Sequence, residues 1–394
     1  MRIGILTFHR SINNGAVMQC YSLSKRLKKE FPDSMVEVVD FHMPLVEEKV
    51  YDTSFHHYFK GSLKHKVGFL LHLRSNIERI RQDRARKASF EKAITKLPLS
   101  HDKIYSNSIT DLVDYLNSSY DVVIAGSDAI WNYSVRGFPN PYFLSKEVRA
   151  KKLSYAASCY GMSYEKIPEW QKKEIKAILD TYTFLGTRDT ESEKFLESIG
   201  SSVQPVHTCD PTAFLDVEDL PIDKDALKQK LITRGFDESK KTIGIMGSEA
   251  MCKMLRKMFG NQYQLVSLYN YNSLCDINLN DLSPYEWAYV FRFFSVTVTT
   301  YFHGTMLSLR NGVPVLSIAL DTEYSKNHIT KVEDLLGRLG LGDFYWKTDY
   351  KDRNFSEIKQ KIEELINSDM HSSLITKMNN EAMTFNSFLK AIEV

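Results

Sequence analysis

The strongest constraint on this chain is a repeated alternation of short apolar runs with amphipathic helical segments. "RIGILTF" reads as a strand, "GAVMQCYSLSKRLKKEF" as a helix and "MVEVVDF" as a second strand. "YDVVIAGSD", "KKLSYAAS" and "TFLGT" add strands, with helices in "WQKKEIKAILDTY" and in "TESEKFLESIG", which ends at Gly200 as a C′ glycine. Runs this continuously apolar suit strands buried on both faces, and strands alternating with helices predict βαβ units on a parallel sheet. A charged stretch at about 216–240, poor in apolar runs, interrupts the series. The alternation then resumes through "TIGIMG", "EAMCKMLRKMF", "YQLVSLY", "SPYEWAYVFRFF", "VTVTT", "VPVLSIA" and "KVEDLLGRLG".

The chain has 394 residues, a length that suits two domains. The predicted fold class is α/β, with two Rossmann-like domains facing a cleft. The first spans 1–215, with a helical insertion at about 44–119. The second spans 241–350, and the helices of 351–394 pack back on the first domain.

Apolar residues make up 43% and charged residues 25%, enough to bury two cores. Lys plus Arg (51) nearly cancels Asp plus Glu (49), so the overall charge of +2 gives no reason to expect nucleic acid. One local exception is the basic segment 60–91, read either as a solvated helical face or as a docking surface for an anionic membrane or a phosphorylated acceptor. The five cysteines are scattered without metal-binding spacing, and no secretory leader opens the chain. A cytoplasmic protein with free thiols is expected. With no apolar run of about 18 residues, membrane contact is expected to be peripheral, at the inner face.

Five turns follow apolar strands with residues that bear chemistry. Asn13, Asn14 and Gly15 precede a helix whose free N–H groups suit an anion or sugar hydroxyls, although an Asn cap explains them equally. In "AGSDAIWN", Gly126 permits close backbone approach, while Ser127 and Asp128 suit a polyol; Asp128 is a candidate base or an N-cap. Arg188 in "GTRDTES" ends an apolar strand, as a surface ion pair or as an anion clamp. Asp210-Pro211 reads as a turn former with a structural role. The fifth is "VTVTTYFHGTMLSLRNGVPVLSIA": a strand to Thr300, a turn over Tyr301-Phe302-His303-Gly304, a helix from Thr305 and a second strand from Val313. His303 would then stand at the carboxyl end of a parallel sheet, beside a helix N-terminus. The absence of GxGxxG, Walker A, GxSxG and HExxH patterns argues against dinucleotide, ATP, serine-hydrolase and zincin chemistry.

Taken in order, "NNGAVMQCYSL", "DVVIAGSDAIWN", "KKLSYAASCYG", "TRDTESEKFL", "CDPTAFL" and "YFHGTMLSLRNGVPVLSI" resemble the polysaccharide pyruvyl transferase family. The resemblance implies a GT-B-like fold. It implies transfer from phosphoenolpyruvate to a sugar of an exopolysaccharide or capsular precursor, commonly as a cyclic ketal. The acceptor is expected to be lipid-linked, with phosphoenolpyruvate as co-substrate and neither cofactor nor metal. The donor would lie on the C-terminal domain, against Arg188, Tyr301, His303, Gly304 and Thr305. The acceptor would lie on the N-terminal domain, against Asn13, Asn14, Gly15, Ser127 and Asp128. His303 is then the acid or phosphate ligand, and Arg188 the donor clamp.

One position departs from the family pattern. Better-studied members carry an arginine two residues before this histidine, where this chain has Tyr301. A second donor cation must come from elsewhere, and Arg310, Lys326 and a helix N-terminus are the candidates. Two other functions compete: a nucleotide-sugar glycosyltransferase of similar fold, and a non-catalytic carbohydrate-binding protein.

Overall fold

The computed structural model describes residues 1–43, 59–132, 137–320, 328–348 and 355–393. The start of the expected insertion (44–58), the first residues of the C-terminal tail (349–354) and Lys326 lie outside the described residues.

The first sheet is built from β1 (Arg2–Leu6), β2 (Met35–His42), β3 (Leu99–Tyr105), β4 (Val122–Ala125), β5 (Lys151–Ala157), β6 (Phe184–Thr187) and β7 (Pro205–His207). All pair in parallel, in the order β3-β2-β1-β4-β5-β6-β7. The second sheet comprises β8 (Thr242–Met246), β9 (Gln264–Ser267), β10 (Ile277–Asn278), β11 (Val296–Thr299), β12 (Val315–Leu320) and β13 (Tyr345–Thr348). It is also parallel, in the order β10-β9-β8-β11-β12-β13. Both orders are the doubly wound pattern in which the chain reverses direction beside the first strand. The reversals fall between β1 and β4 and between β8 and β11, so the crevice of each domain opens where those strands end. Central strands are fully buried, as β4, β8 and β11 show, because helices cover both faces.

Described helices cover the sheets: α1 (Asn14–Glu30), α2 (Leu63–Leu71), α3 (Leu73–Ile94), α4 (Ile109–Ser119), α5 (Glu169–Leu179), α6 (Thr190–Ile199), α7 (Lys224–Thr233), α8 (Glu249–Phe259), α9 (Pro284–Val290), α10 (Phe302–Arg310), α11 (Lys331–Arg338), α12 (Ser356–Ile366), α13 (His371–Ala382) and α14 (Phe385–Glu393). Caps follow the sequence signals: Asn13 on α1, Asp189 on α6, Ser248 on α8 and Thr330 on α11 each accept backbone N–H bonds. At α9 Ser283 and Glu286 form a reciprocal capping box with Pro284 at the first turn.

The two halves share a core. Tyr21 of α1 meets Tyr285 of α9 edge-on, with ring centroids 5.1 Å apart. Helix α12 packs on β11 and β12, whereas α14 packs on β5 and β6 of the first sheet. There Phe385 and Phe388 lie 5.2 and 4.7 Å from the Tyr155 ring. On the other side, Asp334 of α11 accepts the backbone N–H (3.1 Å) and hydroxyl (2.9 Å) of Thr190 at the start of α6.

Three elements differ from the sequence reading. The region read as a helical insertion also supplies β3, a sheet edge with little buried apolar surface, and hence without the apolar run that marks a central strand. The edge strand β7 begins at Pro205 and spans three residues, which leaves no periodic signal. Helix α10 starts at Phe302 rather than Thr305, so His303 sits inside its first turn.

Candidate active site

The crevices of the two sheets meet around one buried ion cluster. Arg188, just past β6, is 2% exposed. Its Nη1 donates to Asp210 Oδ2 (2.9 Å) and its Nη2 to Asp128 Oδ1 (3.0 Å). Asp128 follows β4, and Asp210 follows β7. Asp210 Oδ2 also accepts from Gln19 Nε2 of α1, while Oδ1 accepts from the Thr212 backbone (3.0 Å) and hydroxyl (2.6 Å). His303 of α10 brings Nε2 to 3.6 Å from Asp210 Oδ2, long for a hydrogen bond but close for an ion pair. Arg188, Asp128, Asp210, Gln19 and His303 thus converge from five segments of the chain.

Burial opposes ionisation of Asp210, yet His303 and then Arg188 hold its carboxyl well below the usual carboxylate range. Burial likewise opposes ionisation of Asp128, and Arg188, Lys331 and His303 together hold it below that range. Arg188 is the mirror case: burial works against its charge, and Asp128 and Asp210 outweigh it. Arg188, Asp128 and Asp210 are therefore charged.

The imidazole has a closely fitted seat. A Cβ on Gly15 would lie 2.0 Å from His303 Nδ1, so the residue facing the ring there has to be glycine. Asn13 is occupied as the cap of α1, accepting from Gly15 N (3.0 Å) and Ala16 N (3.4 Å). Buried side-chain atoms without a hydrogen-bond partner gather on these segments: Asn14 Oδ1, Gln19 Oε1, Ser127 Oγ, Arg188 Nε and His303 Nε2. Such atoms are costly in a closed core and are expected where a polar ligand or water enters. Thr7 Oγ1 donates to the Ser127 carbonyl (3.1 Å), tying the loops after β1 and β4 together. Asp128 has φ 90°, an uncommon conformation that aims its carboxylate at Arg188.

Helix α10 begins without a side-chain cap: Tyr301 precedes it and supplies none. Its first backbone N–H groups are therefore open to an anion. Beside this terminus lies a cavity of about 540 Å³, lined by Tyr160, Thr300, Tyr301, Phe302, Lys331 and Tyr345 among others. Lys331 Nζ lies 5.1 Å from the Tyr160 ring and 5.4 Å from the Phe302 ring. The Arg188 guanidinium also approaches Phe302, 5.0 Å from the ring. Burial, then the charge of Arg188, lowers the Lys331 pKa.

Several expected site residues are placed differently from the sequence reading. Arg188 is no free clamp, because two of its donors are held by carboxylates. Gly304 serves close packing: a Cβ there would lie 2.5 Å from Thr299 Oγ1. Thr305 is fully buried, and its hydroxyl is shared with Ser317 at 2.7 Å. Tyr301 lines the cavity and packs its ring in a tilted contact on Tyr269, with centroids 4.5 Å apart. Arg310 is directed away, donating to the Leu215 carbonyl and to Asn379 (both 2.6 Å). Gln19 and Lys331 were not singled out by motif, and Asp210 was, but with a structural role. Asp210 read as a turn former, and it is a cap as well, accepting from Thr212.

A family model for polysaccharide pyruvyl transferases matches residues 13–322, which include both crevices and all five segments of the ion cluster. The chain belongs to the polysaccharide pyruvyl transferase family. It is accordingly a transferase of polysaccharide biosynthesis, and the family implies a polysaccharide acceptor. A search of curated protein sequences gives no match. Among solved structures, the transferase is similar to a Listeria monocytogenes protein provisionally assigned as a UDP-N-acetylglucosamine 2-epimerase (12% identity, 100% of this chain and 95% of that one, TM-score 0.57). It is also similar to the UDP-GlcNAc 2-epimerase of Methanocaldococcus jannaschii (8% identity, 94% of both chains, TM-score 0.56). The Neisseria meningitidis enzyme bound to UDP-GlcNAc aligns with 98% of this chain and all of its own, at 11% identity and TM-score 0.51. At these identities the likeness concerns the fold, which is GT-B-like, and not the reaction.

Proposed function

We propose that this transferase moves the pyruvyl group of phosphoenolpyruvate onto two hydroxyls of a sugar in an exopolysaccharide or capsular polysaccharide precursor carried on a lipid, forming a pyruvate ketal. Protonation of the methylene carbon makes the central carbon electrophilic. One sugar hydroxyl adds there, inorganic phosphate leaves, and the second hydroxyl closes the ring while losing its proton. The chemistry requires an acid, cations for phosphate and carboxylate, and a way to take up the hydroxyl protons.

The observation that carries this reading is His303, a buried imidazole whose Nε2 lacks a hydrogen-bond partner among the described residues, set in the uncapped first turn of α10 beside Asp210. Histidine is a residue type suited to general acid catalysis near neutral pH. The donor occupies the neighbouring cavity, with its anionic groups on the first N–H groups of α10 and on Lys331. That lysine takes the place of the second cation for which Tyr301 provides no charge. Arg188 acts by holding Asp128 and Asp210. The acceptor lies along Asn14, Gly15 and Ser127. Phosphoenolpyruvate is a co-substrate, and the reading calls for no cofactor.

Phosphate release from phosphoenolpyruvate should depend on a sugar acceptor, and mass spectrometry should find the ketal on that acceptor. His303→Ala should lower the rate about 10²–10⁴-fold in enzyme that remains folded. Undiminished turnover by His303→Ala would remove the histidine from the chemistry. Product formation from a sugar nucleotide, with none from phosphoenolpyruvate, would overturn the donor.

A further inference from the structure

Six of the fifteen exposed large apolar side chains among the described residues fall between positions 63 and 77. They are Leu63 (79% exposed), Val67, Leu70, Leu71 (77%), Leu73 and Ile77. Leu63, Val67, Leu70 and Leu71 are spaced i, i+4, i+7 and i+8, which is one face of α2, and Leu73 and Ile77 continue it as an i, i+4 pair on α3. The same helices bury Phe69, Ile80 and Phe90 on their inner side. They therefore carry a second apolar face, directed at solvent. Single exposed leucines are ordinary, but a contiguous face of this kind marks an interaction surface.

Charge identifies the partner. Residues 60–91 hold nine Lys or Arg against three Asp or Glu, in a chain that is otherwise balanced. Lys60, Lys64, Arg74 and Arg81 are exposed around the apolar face. An apolar face with a basic margin is the pattern of a helix lying in the plane of an anionic bilayer. A second copy of this chain would bring the same basic margin against itself in a two-fold contact, which opposes self-association. No helix among the described residues is long and apolar enough to cross a membrane.

We propose that the face formed by Leu63, Val67, Leu70, Leu71, Leu73 and Ile77 inserts into the headgroup region of an anionic membrane and holds the cleft at the bilayer surface. The connection to the cleft is direct. The Arg86 guanidinium of α3 lies 4.8 Å from the Tyr269 ring, and Tyr269 packs in a tilted contact on Tyr301, which lines the cavity. The inserting helices and the site are thus joined through packed side chains. The inference stands whichever donor the cleft takes.

The test is sedimentation of the whole transferase with vesicles of phosphatidylcholine alone or mixed with phosphatidylglycerol. The wild type should pellet with the anionic vesicles at least about tenfold more tightly than with neutral ones. Leu63→Ser with Leu71→Ser should weaken that binding by about tenfold or more, and Lys64→Glu with Arg74→Glu should abolish the preference for anionic lipid. Both double variants should keep the wild-type melting temperature and their turnover of a water-soluble acceptor. A wild type that stays in solution with anionic vesicles, or a leucine double variant that binds as well as the wild type, would overturn the proposal. So would a wild-type dimer that the leucine variant splits in the absence of any vesicle binding, because the face would then belong to a second copy.

Discussion

At the scale of single residues, the cation beside the cavity is the informative case. Lys331 stands at the first position of α11 with no ion-pair or hydrogen-bond partner among the described residues, and burial lowers its pKa. A lysine with a lowered pKa loses its charge at lower pH than the usual value near 10.4. The KM for phosphoenolpyruvate should therefore rise as pH increases, starting below the ordinary lysine range. Lys331→Arg should flatten that rise, and Lys331→Ala should raise KM roughly 10–100-fold near neutral pH, the effect of losing one charge-assisted bond, with the gap to the wild type narrowing as pH rises. Steady-state kinetics across pH would show this, and a Lys331→Ala enzyme with unchanged KM would exclude the contact. Neither Lys331 nor Asp210 was legible as a site residue. Lys331 opens an amphipathic helix, where lysine is ordinary, and only the fold sets it against Phe302. Asp210-Pro211 satisfies a turn so well that local chemistry accounts for it, and its second oxygen meets Arg188 and Gln19 only through contacts distant in the chain.

At the scale of elements, the strand-end loops are locked together by charge. Arg188, Asp128 and Asp210 join the loops after β6, β4 and β7. Both carboxyls are held below their ordinary range. Their contribution to stability is complete above the unfolded-state pKa near 3.9 and is lost as pH falls through their folded values. The unfolding free energy of the wild type should accordingly drop on acidification below about pH 4. Asp210→Asn should lower stability near neutral pH by about 3–5 kcal/mol, because Arg188 loses a buried partner, and should show a shallower acid decline. Urea titrations at several pH values measure both effects. The loops after β4 and β6 were legible because each follows an apolar strand, whereas β7 is too short to leave such a signal before Asp210. The boundary at α10 was not legible, because "YFHG" reads as a turn, whereas Phe302 enters the helix and buries its ring 5.0 and 5.4 Å from the charged groups of Arg188 and Lys331.

At the scale of the whole molecule, two doubly wound sheets were readable from the alternation of strand and helix, and a return of the C-terminal helices to the first domain was expected, while the particular surfaces that meet were not legible. Periodicity reports which face of a segment is apolar, not which distant surface covers it. Helix α14 shows the difference: its amphipathic pattern is plain, but its partner is β5 of the first sheet. Phe388 is fully buried against Tyr155 and Phe184. Phe388→Ala should cost about 3–5 kcal/mol, measured as a lowered denaturation midpoint, with donor KM unchanged in the enzyme that remains folded. The same contact bears on how the chain is made. Phe388 follows Tyr155 by about 230 residues, so at ordinary rates of synthesis the aromatic strip on β5 waits on the order of tens of seconds for its cover. During that interval a nascent chain carries an open apolar surface beside a half-assembled cleft, and it is then that a chaperone has something to hold.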